Sequence, residues 1–184
     1  MKMPPAIAAE AKKAVEALAA AKLSVVTAES CTGGLVGGAL TSVPGSSAVV
    51  HGGFITYANA AKTAMLAVPA RLIRDYGAVS AQVARAMADG ARNKAHVDLA
   101  VSITGIAGPD GGSDKKPVGL VYLACATHEG TKVVEKRFGD LGRDGIREAS
   151  TLAALALIAD VATNGVQDAR PAPADPRRAK LVAK

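Results

Sequence analysis

The chain has 184 residues, a formal net charge of +6, and 49% hydrophobic, 21% charged and 3% aromatic residues. That is the composition of one ordinary globular domain with its own core, and the lack of Trp and scarcity of aromatics argue against a stacking surface for single-stranded nucleic acid. Two cysteines, Cys31 and Cys125, with no CxxC pair argue against a structural disulfide or zinc site and fit a reducing, cytoplasmic setting. Met1 to Pro5 lacks the apolar core of a signal peptide, and no apolar run approaches the roughly 20 residues of a membrane span.

In chain order, Pro4-Pro5 opens a helical pattern to about Ala21, with Ile7, Ala11, Ala14, Val15 and Leu18 on one stripe. A strand follows over Leu23 to Thr27. Next comes Thr27-Ala28-Glu29-Ser30-Cys31-Thr32-Gly33-Gly34 and a second apolar segment, which reads as strand, tight turn and a helix over Thr32 to Ser42. A turn of that kind aims backbone N–H groups and hydroxyls at one point, where the helix dipole favours an anion or a developing oxyanion. Ser46 to His51 reads as a short helix or a loop, Phe54 to Tyr57 as a strand, and Asn59 to Leu66 as a helix. Another helix runs from Ser80, a fitting N-cap, to about Lys94.

Leu99 to Thr104 is a buried strand leading into a long Gly/Pro-rich loop, Gly105 to Ser113. Val118 to Thr127 and Lys132 to Phe138 form a hairpin, and a last helix covers Arg143 to Thr163. Residues 1–165 are thus expected to form one domain, and 166–184 a disordered, basic, Pro-rich tail. From Asp168 on, five Lys or Arg face two Asp, so half the net charge lies in the tail and the body is only mildly basic. The pattern predicts an α/β fold, a three-layer α/β/α sandwich around a mixed, mostly parallel sheet. Ligands of such folds bind beyond the carboxyl ends of the parallel strands, here at Ser30-Cys31-Thr32, Tyr57-Ala58-Asn59 and Thr104-Gly105.

Ser30 sits where a strand-to-helix elbow exposes a nucleophile, although the sequence is not G-x-S-x-G; it could equally cap the helix. A serine nucleophile needs a base. None of His51, His96 and His128 falls at a strand end, which argues against a Ser-His-Asp triad. Lys62, just past the second strand, is either a desolvated base or an exposed helix lysine. Ser46 and Ser47 fall in a loop at the opposite end of the sheet, from which they would reach the crevice only by folding back or across a dimer. Thr104, Gly105 and Gly108 suggest backbone donors for an anion, while the P-loop and GxGxxG motifs are absent. Asp110, Asp114, Lys115 and Lys116 read as solubilising. Arg143 and Arg147, cations in the first turns of a helix, suggest pairing with Asp140 or Asp144 or with an anionic ligand.

Several of these blocks together resemble the CinA C-terminal domain family, the nicotinamide mononucleotide (NMN) deamidases, in its stand-alone form. They are Thr27 to Gly34, Pro44-Gly45-Ser46-Ser47, Gly53 to Asn59 with Lys62, Tyr76-Gly77-Ala78-Val79-Ser80, and Thr104 to Gly112 with Lys116-Pro117-Val118-Gly119. The resemblance runs over about residues 5–163. It implies hydrolysis of the carboxamide of NMN to nicotinate mononucleotide and ammonia, in NAD-precursor recycling, by a Ser/Lys pair with no metal or other cofactor. It implies a catalytic set of Ser30, Lys62, Tyr57 and Ser47, with Ser30 favoured by topology as nucleophile and Ser47 the alternative. Substrate contacts would come from Thr32, Gly33, Gly34, Asn59, Thr104, Gly105, Gly108 and Arg143, with the oxyanion held near Gly33 or Gly105. Asp140-Leu141-Gly142-Arg143 departs from the family's usual Gly-Asp-Arg. A homodimer or higher homo-oligomer, without membrane or nucleic-acid partners, is the expected state. The alternative is a non-catalytic mononucleotide-binding module linked to competence or DNA damage.

Overall fold

The computed structural model describes residues 3–166, so all of the expected tail but Val166, which packs against the core, lies outside the described residues. Five strands, β1 (Val25–Glu29), β2 (Val50–Ile55), β3 (Leu99–Gly105), β4 (Leu120–Ala126) and β5 (Thr131–Arg137), form one sheet in the order β2-β1-β3-β4-β5. β1 pairs parallel with both β2 and β3, whereas the β3–β4 and β4–β5 pairs are antiparallel. Two successive reversals turn β5 back into the sense of β3, so four strands point one way and β4 alone opposes them. The sheet is therefore mixed and mostly parallel in direction.

Six helices cover it: α1 (Pro5–Ala21), α2 (Leu35–Thr41), α3 (Asn59–Leu66), α4 (Ala70–Tyr76), α5 (Ala81–Ala95) and α6 (Gly142–Asn164). The two-residue period of β3 decides which go where. Leu99, Val101 and Ile103 face one core, shared with Leu18 of α1, Leu40 of α2 and Leu155 and Ile158 of α6. Ala100 faces the other, with Leu66 of α3 and Val83, Met87 and Ala91 of α5. Small side chains on that side let α5 approach closely, and the Ser102 hydroxyl donates to the Ala84 carbonyl at 2.6 Å. The result is the three-layer α/β/α sandwich.

Some boundaries differ from the sequence reading. β1 starts and ends two residues later than expected, which places Ser30 directly after its last residue. α2 begins at Leu35 because Gly33 and Gly34 take φ of 60° and 100°, left-handed values that a helix interior excludes. β2 starts at Val50 and stops before Thr56 and Tyr57, and the Ser46–Ala48 segment is a single 3-10 turn. α4 was missed. Its seven residues bury no side chain completely, so the pattern carries little periodic signal. Ser80 does cap α5, its hydroxyl accepting from the Val83 N–H at 3.3 Å. Among the described residues no helix is long and apolar enough to cross a membrane.

Candidate active site

The chain leaves β1 and turns into α2 on one face of the sheet, then leaves β2 and turns into α3 on the other. Between these departures, at the carboxyl ends of β1, β2 and β3, the fold opens a cavity of about 190 Å³. Ser30, Cys31, Tyr57, Asn59, Lys62, Thr104, Gly105 and Arg143 are among its lining residues. The geometry thus brings together seven of the residues singled out from the sequence, from four separate stretches of chain.

Lys62 is the centre of the arrangement. It is 1% exposed, one of the largest fully buried side chains in the fold. Its Nζ lies 3.0 Å from Ser30 Oγ, 2.8 Å from the Thr56 carbonyl and 3.3 Å from the Tyr57 carbonyl. Among the described residues no acidic side chain is bonded to it. Burial therefore holds its pKa below the ordinary lysine value. Three acceptors satisfy the three hydrogens of an ammonium. When Lys62 is neutral, the two carbonyls retain two hydrogens and leave the lone pair facing the Ser30 hydroxyl. That is the geometry a general base requires.

The carboxylate nearest in sequence, Glu29, is turned the other way. It is 1% exposed and accepts from the N–H groups of Gly34 (2.9 Å), Val36 (3.2 Å) and Gly37 (2.8 Å), closing the amino end of α2 from within β1. The anion pocket expected over Gly33 and Gly34 is thus occupied by the protein itself: Gly34 N–H serves Glu29, and Gly33 N–H donates to the Ser30 carbonyl at 3.1 Å. The sequence reading ends the strand at Thr27 and puts Glu29 in the tight turn, whereas the structure makes it the last residue of β1; a carboxylate five residues before a glycine-started helix is the local signal for its capping role. Thr32 is fully buried, and its hydroxyl has no hydrogen-bond partner among the described residues.

Two donor positions remain at the cavity. One is in the turn that follows Ser30, whose residue Cys31 lines the cavity. Gly105 supplies another. The Ile103 carbonyl accepts from Ser30 N–H at 3.0 Å, and strand alternation turns the Gly105 N–H to the same side. Gly105 is required there, since a Cβ would stand 2.6 Å from Val121 Cγ2. Cys31 itself is a poor competitor to Ser30, because burial pushes its thiol up to about 11 despite the nearby N–H groups and Lys62.

Arg143 is exposed at the mouth, donating to the Gly108 carbonyl at 2.9 Å and the Tyr57 hydroxyl at 3.1 Å. Tyr57 therefore holds Lys62 through its carbonyl, while its phenol, on a side chain that is mostly exposed, turns to the arginine. Gly108 meets Arg143 through its carbonyl and does not line the cavity. Arg147 pairs mainly with backbone, the Cys31 and Thr32 carbonyls at 3.2 Å each, and more distantly with Asp144 at 3.9 Å. Thr104 hydroxyl donates to the Ala78 carbonyl at 2.9 Å, fixing the cavity wall. Lys116, expected to be solubilising, also holds that wall, donating to the Tyr76 and Val79 carbonyls at 2.6 Å each.

Ser47 is not brought to the cavity. It is exposed in the 3-10 turn beside the start of β1, where Val49 accepts from Val25, at the opposite end of the strand from Ser30. Among the described residues no group of three or more His, Cys, Asp or Glu is placed to hold a metal ion.

Comparison with known proteins agrees with this architecture. The CinA C-terminal domain model matches residues 7–162. A CinA-like protein of Geobacter sulfurreducens is 56% identical over 133 residues, 72% of this chain and 32% of that protein; the chain spans about a third of the length of the curated relatives it matches. The crystal structure of the competence/damage inducible protein CihA from Agrobacterium tumefaciens superposes with a TM-score of 0.83 at 48% identity, over 86% of this chain and 97% of that one. A CinA superfamily protein from Escherichia coli gives 0.80 at 31% identity, over 86% and 94%. The chain belongs to the CinA C-terminal domain family.

Proposed function

We propose that the protein is an amidohydrolase that converts NMN to nicotinate mononucleotide and ammonia, as a step of NAD-precursor recycling. The observation that carries the reading is the buried Lys62 Nζ, 3.0 Å from Ser30 Oγ with no neutralising carboxylate bonded to it. Neutral Lys62 takes the Ser30 proton as Oγ attacks the carboxamide carbon. The oxyanion meets backbone N–H groups of the Cys31–Thr32 turn and Gly105. The tetrahedral intermediate collapses, Lys62 returns the proton to the nitrogen, and ammonia leaves behind an ester on Ser30. Lys62 then activates a water, whose attack on the ester releases the carboxylate and restores the serine hydroxyl.

The substrate class follows from the resemblance together with the shape of the site. A cavity of about 190 Å³ takes a planar ring and its amide while leaving the sugar phosphate at the mouth. Arg143 stands there with guanidinium N–H groups beyond the two already used. Asn59, which also lines the cavity, would meet the ribose.

The test is ammonia release from NMN by wild type, Ser30→Ala, Ser47→Ala and Lys62→Ala. Turnover by wild type and its loss in Ser30→Ala and Lys62→Ala are expected. A folded wild type that binds NMN and releases no ammonia would replace the enzyme with a mononucleotide-binding module.

A further inference from the structure

Two of the blocks singled out from the sequence, Tyr76-Gly77-Ala78-Val79-Ser80 and Lys116-Pro117-Val118-Gly119, take no part in the proposed chemical steps, and the fold joins them. The first connects α4 to α5, and its Ala78 and Val79 form part of the cavity lining. α4 buries no side chain completely, so packing ahead of this wall gives it little support. Side chains hold its carbonyls instead. Tyr76 and Val79 accept from Lys116 Nζ at 2.6 Å each, Gly77 accepts from the Ser80 hydroxyl at 2.9 Å, and Ala78 from the Thr104 hydroxyl at 2.9 Å. Lys116 is aimed at them by its own turn: its N–H donates to the Ser113 carbonyl at 3.1 Å, and the Ser113 N–H donates to the Lys116 carbonyl at 2.8 Å. The ammonium ends beside Gly77, where a Cβ would stand 2.9 Å from Nζ and where φ is 76°. Lys115, in the same turn, is exposed. The loop that carries Lys116 also supplies Gly105 and Ala107 to the cavity lining.

We propose that Lys116 is a positioning residue, whose ammonium fastens the Ala78–Val79 wall so that the cavity holds its substrate in line with Ser30 and Lys62. Lys116 does not itself line the cavity, so it acts through the wall. Both of its bonds are charge-assisted, and with both gone the connection between α4 and α5 opens more often. Gly77 is the other half of the device, since a side chain there would displace the ammonium. The clamp stands on the fold alone; its effect on NMN rests on the proposed hydrolysis.

The experiment compares the full chain with Lys116→Met, Gly77→Ala and Lys115→Met, the last removing the same charge from the same turn without touching the wall. Circular dichroism confirms folding. Deuterium uptake without substrate reads the clamp. The Gly77 and Val83 N–H groups, which donate to Ile73 and Ser80, should exchange about tenfold faster in Lys116→Met and Gly77→Ala, with β3 unchanged. Steady-state ammonia release reads the positioning. KM for NMN should rise about tenfold in those two variants and stay at the wild-type value in Lys115→Met, while the pH at which kcat rises does not move. A protein that is merely less stable would lose kcat at unchanged KM. Exchange equal to that of wild type overturns the clamp. Faster exchange with unchanged KM, or an equal KM rise in Lys115→Met, overturns the positioning role. If wild type binds NMN and releases no ammonia, the hydrolysis fails on its own, and Kd for NMN replaces KM in the same comparison. A wild type that does not bind NMN overturns the positioning role together with the hydrolysis, and the exchange result still decides the clamp.

Discussion

The two ends of β1 use similar residue types to opposite effect. At the amino end, Ser24 and Asp98 bond reciprocally: Ser24 N–H and Oγ donate to Asp98 Oδ2 at 2.8 and 2.6 Å, and Asp98 N–H donates to Ser24 Oγ at 3.2 Å. Asp98 is exposed and Ser24 half-buried, and these hydrogen bonds hold the Asp98 carboxyl below its usual range. At the carboxyl end, Ser30 meets a lysine instead, buried and without a bonded carboxylate, and burial moves Lys62 toward its neutral form. One serine staples two strands and the other faces a base. Solvent access and the identity of the partner, more than the serine, separate a structural contact from a reactive one.

The largest expected effect is at the buried end. Lys62→Met should lower kcat on NMN on the order of 10²–10⁴-fold, the usual contribution of a general base. Wild-type kcat should rise with pH through the lowered lysine pKa, and the variant should lose that rise; an unchanged profile in steady-state ammonia assays would break the comparison. Stability carries the same sign. The folded state gives up the Lys62 proton at lower pH than the unfolded state, so wild type should gain stability relative to Lys62→Met as pH rises from neutral toward 10.5, measured by urea unfolding.

Gly105→Ala comes next. Its Cβ would meet Val121 Cγ2 at 2.6 Å and the Leu120 carbonyl at 3.1 Å, displacing the end of β3 and its N–H. A shift of this kind should lower kcat by about 10²-fold with a folded protein, checked by turnover beside circular dichroism. Arg147→Met leaves the Cys31 and Thr32 carbonyls without their cation and should reduce unfolding free energy by about 1.5–3 kcal/mol in denaturant titrations. Ser24→Ala should have the smallest effect, about 0.5–1 kcal/mol at neutral pH because the contact is exposed. The Asp98 pKa is lower in the folded state, so this increment should fade as pH falls through the acid range in thermal melts of the two proteins.

The order of elements, the three layers and the location of the crevice were legible because they follow from local signals. The unbroken burial of β3, the five-residue core stripe of α1 and the glycine pair after Glu29 each report on neighbours in sequence. Short α4 buried too little to show. Ser30, Lys62, Tyr57, Thr104 and Arg143 could be named as candidates, yet what each touches could not. Glu29 reads as a turn residue, yet it ends β1 and caps a helix; Lys116 looked like a loop charge and pins the cavity wall; the Tyr57 phenol serves Arg143 while its carbonyl serves Lys62.

The sequence by itself determined the secondary structure apart from α4 and several element boundaries, the faces of helix and strand that turn inward, and the residue types available at the strand ends, since these depend on side-chain size, polarity and spacing along the chain. Only the tertiary structure decided that Lys62 is buried against Ser30 with no carboxylate bonded to it among the described residues, and that Glu29 is spent on the end of α2. Those outcomes depend on contacts between residues such as Ser30 and Lys62, 32 positions apart, and on the exclusion of water that their packing produces.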